Sequence, residues 1–257
     1  MRVRVCAVSY LNSAPLVWGM LHGAERGRFD LEFALPAECA ERMAAGEADV
    51  GLIPSIELAR QGLEWIPGAG VASCGAVRSI LLLSKVEPAN IRTLAADTSS
   101  RTSVVLAQMV LRERYGVRPA LLPWPPEALA MLAAADAAVL IGDPALRLDL
   151  DGLPYRVLDL GQEWTEMTGL PMVFAVWAAR EKDLARELAP VFLSSCRFGR
   201  ERLEEIVREE APRRGLREDL ARDYLVNRII NLHGEREERG LRAFLAQAER
   251  VEAHAHA

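Results

Sequence analysis

Short apolar runs and amphipathic stretches alternate along the first two thirds of the chain. Val3, Val5 and Ala7 recur at every second position, which predicts a strand over Val3–Val8. Pro15–Leu21 reads as a helix, with Asn12 or Ser13 as its N-cap and Pro15 in its first turn. The same reasoning predicts a strand at Phe29–Phe33, a helix at Glu38–Ala45 and a short buried strand at Val50–Ile53. A helix capped by Ser55 follows through Arg60 and ends at Gly62, and Val71–Cys74 and Ser79–Ser84 are strands. The pattern restarts after Lys85-Val86-Glu87-Pro88 with a strand at Leu94–Ala96. A polar run then leads into an amphipathic helix, Val104–Tyr115, stopped by Gly116. Beyond it lie strands at Leu121–Leu122, Ala138–Ile141, Tyr155–Leu160 and Met172–Ala178, with a helix at Pro126–Ala134. From Glu181 onward only helices are expected, over Lys182–Cys196, Arg200–Glu210, Arg217–Ile230 and Arg236–Glu249.

Strands separated by helices predict an α/β fold with mainly parallel sheet covered on both faces. The middle block has the size of an inserted lobe. The expected organisation is a first lobe of residues 1–84 plus 175–257 and a second lobe of residues 85–174. The chain then crosses between lobes near Leu83–Lys85 and near Pro171–Phe174, and two crossings beside a cleft make a hinge.

Charge narrows the function classes. With 31 basic and 36 acidic residues the net charge is −5, which argues against a general nucleic-acid binder. An anionic ligand would have to be held by local donors rather than by the overall field. No apolar run approaches the roughly 20 residues that span a bilayer. The start of the chain reads as a strand rather than a secretion signal, so the expected location is the cytoplasm. Cys6, Cys39, Cys74 and Cys196 are widely spaced and predict reduced, mostly buried thiols rather than a disulfide or a metal site. The histidines at the chain end, His254 and His256, lack further ligands for a metal, and the tail is expected to fray.

Ligands of open α/β sheets bind beyond the carboxyl ends of the strands. After the first strand come Ser9, Asn12 and Ser13, more donors than one helix cap uses. Ile53-Pro54-Ser55 and Arg78-Ser79 are weaker signals of the same kind. The run Thr98–Ser103 places five hydroxyls and Arg101 at a helix start, where free N–H groups and the positive dipole end favour a carboxylate. No nucleophile elbow, phosphate loop, dinucleotide fingerprint or zinc motif is present. By residue chemistry alone the chain binds a small anion in a cleft.

Six segments in order carry a more specific signal: Val8–Leu16, Ala48–Ser55, Ala76–Leu82, Ser100–Ser103, Ile141–Asp143 and Thr168–Pro171. Together they resemble the chorismate dehydratases of menaquinone biosynthesis over about residues 3–180. The resemblance implies a two-lobed fold like type II periplasmic binding proteins, without export. It implies conversion of chorismate to 3-[(1-carboxyvinyl)oxy]benzoate with loss of water on the futalosine route, with no cofactor and no metal. It assigns Asn12 and Ser79 as catalytic, and Ser9, Ser55, Arg78, Arg101, Thr102, Ser103 and Asp143 as substrate-binding. Arg78 and Arg101 are the expected charge partners and Asp143 the expected orienter of a hydroxyl. The substrate's own enolpyruvyl carboxylate is expected to take the ring proton. The expected partner is chorismate alone, without nucleic acid or membrane, and a homodimer is compatible with this reading. The alternatives are a non-catalytic small-anion binding protein and the sister 1,4-dihydroxy-6-naphthoate synthase. The sister family carries a catalytic His at the strand end that corresponds to Gly142 here, and this favours the dehydratase.

Overall fold

The computed structural model describes residues 2–255. The first elements are β1 (Val3–Val8), α1 (Ala14–His22), β2 (Phe29–Ala34), α2 (Pro36–Ala45), β3 (Val50–Pro54), α3 (Glu57–Gln61) and β4 (Glu64–Ser73). Next come β5 (Ile80–Ser84), β6 (Thr93–Asp97), α4 (Thr102–Tyr115), β7 (Ala120–Trp124), α5 (Ala128–Ala134), β8 (Ala137–Ile141), α6 (Gly142–Leu146), β9 (Arg156–Asp159) and α7 (Leu160–Thr168). The chain ends with β10 (Met172–Ala179), α8 (Lys182–Arg200), α9 (Leu203–Arg213), α10 (Glu218–Asp223), a π-helical turn at Tyr224–Arg228, β11 (Ile230–Leu232) and α11 (Glu235–Ala255).

These strands form two sheets, one in the order β11-β4-β10-β3-β1-β2 and the other in the order β7-β6-β8-β5-β9. A lobe is built on each, and the cleft lies between them. The alternating elements of the sequence are all found, but the sheets are mixed rather than mainly parallel. β1 runs parallel to β2 and β3, and β6 runs parallel to β7 and β8. β10 is antiparallel to β3 and β4, and β5 is antiparallel to β8 and β9. The antiparallel strands are those beside the crossings, because a chain that leaves one sheet and later returns re-enters in the opposite direction. Ile80–Ser84 was expected in the first lobe. It pairs with β8 and β9 and so belongs to the second sheet. The C-terminal region also departs from a purely helical reading, since β11 adds an edge strand to the first sheet beside β4. The helix α11 extends through Ala255, past the start of the expected frayed tail, and His256–Ala257 lie outside the described residues.

Packing fixes the cleft wall. β10 is buried along all eight of its residues in the middle of the first sheet. Trp177 on it meets Phe192 of α8 edge to face, with ring centroids 4.6 Å apart. Burial of such an aromatic pair favours the packed state by about 1 kcal/mol beyond its area. α8 in turn lies directly on α1. A Cβ at Gly199 would sit 2.1 Å from the Pro15 carbonyl oxygen, so only glycine allows this approach. Ser195 Oγ donates to the Leu16 carbonyl at 2.8 Å. The start of α1 and the 3-10 turn Leu11–Ser13 before it are thereby held rigidly at the cleft. Cys6, Cys39 and Cys196 are buried free thiols, whereas Cys74 is exposed. Among the described residues no helix is long and apolar enough to cross a membrane.

Candidate active site

The carboxyl ends of β1, β3, β6 and β8 converge on a cavity of about 440 Å³, its mouth included. The first lobe contributes Tyr10, Asn12, Ser13, Val71 and Phe174, and the second contributes Ile80, Ser100, Thr102, Ser103 and Gly142. Most of the wall is apolar, and the polar groups are neutral amide and hydroxyl groups. Among the described residues that line it there is no Lys, Arg, His, Asp or Glu.

Thr102 and Ser103 open α4, whose N-cap, Arg101, offers no side-chain bond to the first turn. The first backbone N–H groups of a helix have no intrahelical partner. Thr102 and Ser103 line the cavity, so the N-terminal, positive end of α4 lies at the second-lobe wall, a place suited to a carboxylate. Thr102 Oγ1 also accepts from Ile56 N at 3.3 Å and lies 3.4 Å from Ser55 Oγ, which ties the two lobes at this point.

Asn12 lines the opposite wall. Its Nδ2 donates to Tyr224 Oη at 3.1 Å, and Tyr224 Oη lies 2.7 Å from Ser79 Oγ. Ser13 Oγ donates to Asn12 Oδ1 at 3.2 Å, and Asn231 Nδ2 donates to the Asn12 carbonyl at 3.1 Å. Ser79 is fully buried and does not line the cavity, although its neighbour Ile80 does; its carbonyl accepts from Gly142 N at 2.8 Å. Burial raises the Tyr224 phenol well above its usual range, so it stays protonated. Tyr10, also on the wall, is pushed up to about 12 chiefly by burial, with its hydroxyl 3.2 Å from Ser99 Oγ.

The remaining expected site residues are brought elsewhere. Arg78, at φ 67, donates to the carbonyls of Ala145 and Leu148 at 2.9 and 2.6 Å and lines a separate groove. Arg101 pairs with Glu41 at 2.8 Å and Glu57 at 3.1 Å, so its charge is spent on a carboxylate that is almost wholly buried. Ser55 Oγ donates to the Val173 carbonyl at 2.6 Å and braces the crossing into β10. The Ser9 carbonyl accepts from Arg214 Nη2 at 3.0 Å, and Ser9 lines a groove beside α1 rather than the cavity. Asp143 accepts from Leu11 N at 2.9 Å and pairs with Arg214 Nε at 3.1 Å. Burial raises its carboxyl above the ordinary value, while the Leu11 N–H and Arg214 pull the other way. None of these five side chains lines the cavity. Tyr224, Arg214 and Asn231 lie in the charged C-terminal third, where nothing in the local pattern sets them apart from packed helix residues.

Gly142 closes the site between the lobes. Its φ is +64, and a Cβ there would lie 2.5 Å from the Tyr10 ring. Any larger side chain here would need a left-handed backbone and a displaced Tyr10.

The family model for menaquinone biosynthesis matches residues 3–250. The chain is 32% identical to the chorismate dehydratase of Thermus thermophilus over 91% of both chains. It is 27% identical to the chorismate dehydratase of Campylobacter jejuni over 68% of this chain and 66% of that one. In fold it is similar to a protein of Archaeoglobus fulgidus, with TM-score 0.76, 20% identity and 98% of both chains covered. It is also similar to the periplasmic aliphatic sulphonate binding protein of Escherichia coli, with TM-score 0.68, 16% identity and 99% and 87% coverage. The two-lobed architecture is that of periplasmic binding proteins, and the chain belongs to the menaquinone-biosynthesis family that includes these chorismate dehydratases.

Proposed function

We propose that the protein dehydrates chorismate to 3-[(1-carboxyvinyl)oxy]benzoate in menaquinone biosynthesis. The observation that carries this reading is the cavity itself: Asn12 on one wall faces the uncapped first turn of α4 on the other, with apolar groups between. Chorismate carries one carboxylate on its ring and one on its enolpyruvyl side chain, and donors at the two ends of an apolar slot suit such a molecule. One carboxylate meets the N–H groups and hydroxyls at Thr102 and Ser103. Asn12, with Ser79 behind it, holds the other end of the substrate.

A wall without an acid or base fits an elimination in which the substrate serves as its own base. The ring proton beside the ether passes to the enolpyruvyl carboxylate. The ring carbon–hydroxyl bond then breaks, and the hydroxyl leaves with a proton as water, so the atoms of chorismate equal those of the product plus one water. Aromatisation drives the step. The protein contributes orientation of the side chain over the ring and fixed donors for the developing charge. Arg78 and Arg101 take no part, because their guanidinium groups are engaged outside the cavity. We place the enzyme in the cytoplasm, where a biosynthetic intermediate would be met.

The test is incubation of purified protein with chorismate, followed by mass spectrometry of the small molecules. The expected outcome is loss of chorismate and appearance of a species lighter by one water with an aromatic spectrum. Chorismate recovered unaltered while the protein is stabilised by it would make this chain a binding protein instead.

A further inference from the structure

The assignment of Asn12 and Ser79 leaves open what sets their directions. The two residues come from different lobes, and one buried oxygen joins them. Tyr224 Oη receives Asn12 Nδ2 at 3.1 Å and lies 2.7 Å from Ser79 Oγ. Tyr224 belongs to neither cleft wall. It sits on the π-helical turn between α10 and β11, which is held by the bond from Arg200 Nη1 to the Leu225 carbonyl at 2.6 Å. Single turns of this kind recur at functional sites.

A phenol oxygen carries one hydrogen, and this fixes the inventory around it. The Asn12 amide donates into Tyr224 Oη, and either hydroxyl of the Tyr224–Ser79 pair could be the donor; in the arrangement where the phenol donates to Ser79 Oγ, the serine hydrogen is left for another group. On the other side, Ser13 Oγ occupies Asn12 Oδ1 and Tyr224 occupies one N–H of Nδ2, so the second amide N–H of Asn12 is the group left for the cavity. Asn231 pins the backbone of the same residue by donating to both the Asn12 and the Gly70 carbonyls at 3.1 Å. In that arrangement the unspent hydrogens of Asn12 and Ser79 are both donors, and Asn12 is the one of the two that lines the cavity.

We propose that Tyr224 is a positioning residue for the dehydration: its buried hydroxyl joins Asn12 of the first lobe to Ser79 of the second so that Asn12, backed by this link, presents its donor to the substrate when the lobes are closed. This rests on the dehydratase reading. The link also couples closure to catalysis. If the second lobe swings away, Ser79 withdraws from Tyr224, and the phenol hydrogen loses the acceptor that leaves Asn12 turned towards the cavity. Substrate that closes the cleft thus sets its own donor in place.

The experiment is a kinetic cycle of wild type, Tyr224→Phe, Ser79→Ala and the double variant, with chorismate as substrate and urea unfolding of each protein alongside. Tyr224→Phe keeps the ring and removes only the hydroxyl. The expected result is a fall in kcat of about tenfold or more, the rate equivalent of one lost hydrogen bond, with KM within about twofold. The double variant should be no slower than the slower single variant, because each breaks the same link. Equal kcat for Tyr224→Phe and wild type, or losses that multiply in the double variant, overturns the proposal while leaving the dehydratase reading intact. Wild-type protein that leaves chorismate unchanged overturns the dehydratase reading and, with it, this role. A readout that does not depend on Tyr224→Phe folding is replacement of all tyrosines by 3-fluorotyrosine, which makes the phenols more acidic. It should shift kcat in wild type and not in Ser79→Ala, and an equal shift in both would also overturn the proposal.

Discussion

The turn Leu11–Ser13 feeds two polar clusters of opposite character. Through its side chain Asn12 enters a neutral cluster with Tyr224 and Ser79, at the edge of the cavity. Through its backbone N–H, Leu11 enters a charged cluster, Asp143 with Arg214 and Glu210, away from the cavity. Both clusters join the lobes, and both draw on the C-terminal helices, yet only the neutral one reaches the cavity wall, through Asn12. The difference follows from the substrate's charge. A free carboxylate on the cavity wall would repel a dianion, and a free guanidinium would hold it without distinguishing ground state from transition state. The charges are therefore matched to one another outside the cavity, where they hold the lobes together, and the site presents neutral dipoles whose directions are set in advance.

This contrast can be broken from either side. Asn12→Ala should cause the largest loss, about 10²–10³-fold in kcat, the effect of removing one fixed donor from a charged transition state. Circular dichroism and unfolding should stay close to wild type, and a variant that retains full turnover would remove Asn12 from the chemistry. Gly142→Ala should come next, since its Cβ meets the Tyr10 ring at 2.5 Å on a left-handed backbone. We expect turnover to fall about tenfold or more through a distorted wall, together with about 1 kcal/mol of lost stability from the backbone strain alone. Unchanged kinetics would show that the wall at Tyr10 does not matter.

Arg214→Ala tests the charged cluster. It leaves the buried Asp143 carboxylate with the Leu11 N–H and the more distant charge of Arg147, and should cost about 1–3 kcal/mol in urea unfolding. A loss of affinity for chorismate should accompany this, because closure is weakened. A variant as stable as wild type would mean that the pair does not hold the lobes.

The pH response should separate the clusters further. Asp143 binds its proton more tightly in the folded protein, chiefly because of burial. Folding therefore takes up protons at this group, and its contribution to stability falls as pH rises above the ordinary carboxylate value of 3.8 and is regained on acidification. The stability of wild type minus that of Asp143→Asn should accordingly decline as pH rises above the ordinary carboxylate value. A difference that is flat or that rises would contradict this. The smallest effect is expected at Arg101. Its pairs with Glu41 and Glu57 lie outside the cavity, so Arg101→Gln should leave kcat and KM close to those of wild type. A large rise in KM would restore it as a substrate ligand.

Much of this arrangement is written locally in the chain. The strand at Val3–Val8, the turn after it and the hydroxyl run before α4 can be read from periodicity and capping chemistry, because each depends on residues a few positions apart. The cavity at the carboxyl ends of the strands follows from the same reading. Other features depend on tertiary placement. An apolar strand such as Ile80–Ser84 has the same pattern in either sheet, and only its partners β8 and β9 assign it. Arg78 and Arg101 look alike as candidate anion ligands, but their fates are decided by carbonyls at Ala145 and Leu148 and by a carboxylate on Glu57. Tyr224 is the furthest from view. It lies in an Arg/Glu-rich stretch and meets Asn12 across 212 positions of sequence, a contact that no local pattern encodes.

The most direct test is the structure of the Ser79→Ala protein with chorismate bound. Our account predicts the ring within the cavity between Phe174 and Ile141, one carboxylate against the N–H groups at Thr102 and Ser103, and the Asn12 amide nitrogen turned towards the ligand. Chorismate bound in the groove beside Arg78, or in the cavity with both carboxylates turned away from α4, would contradict it.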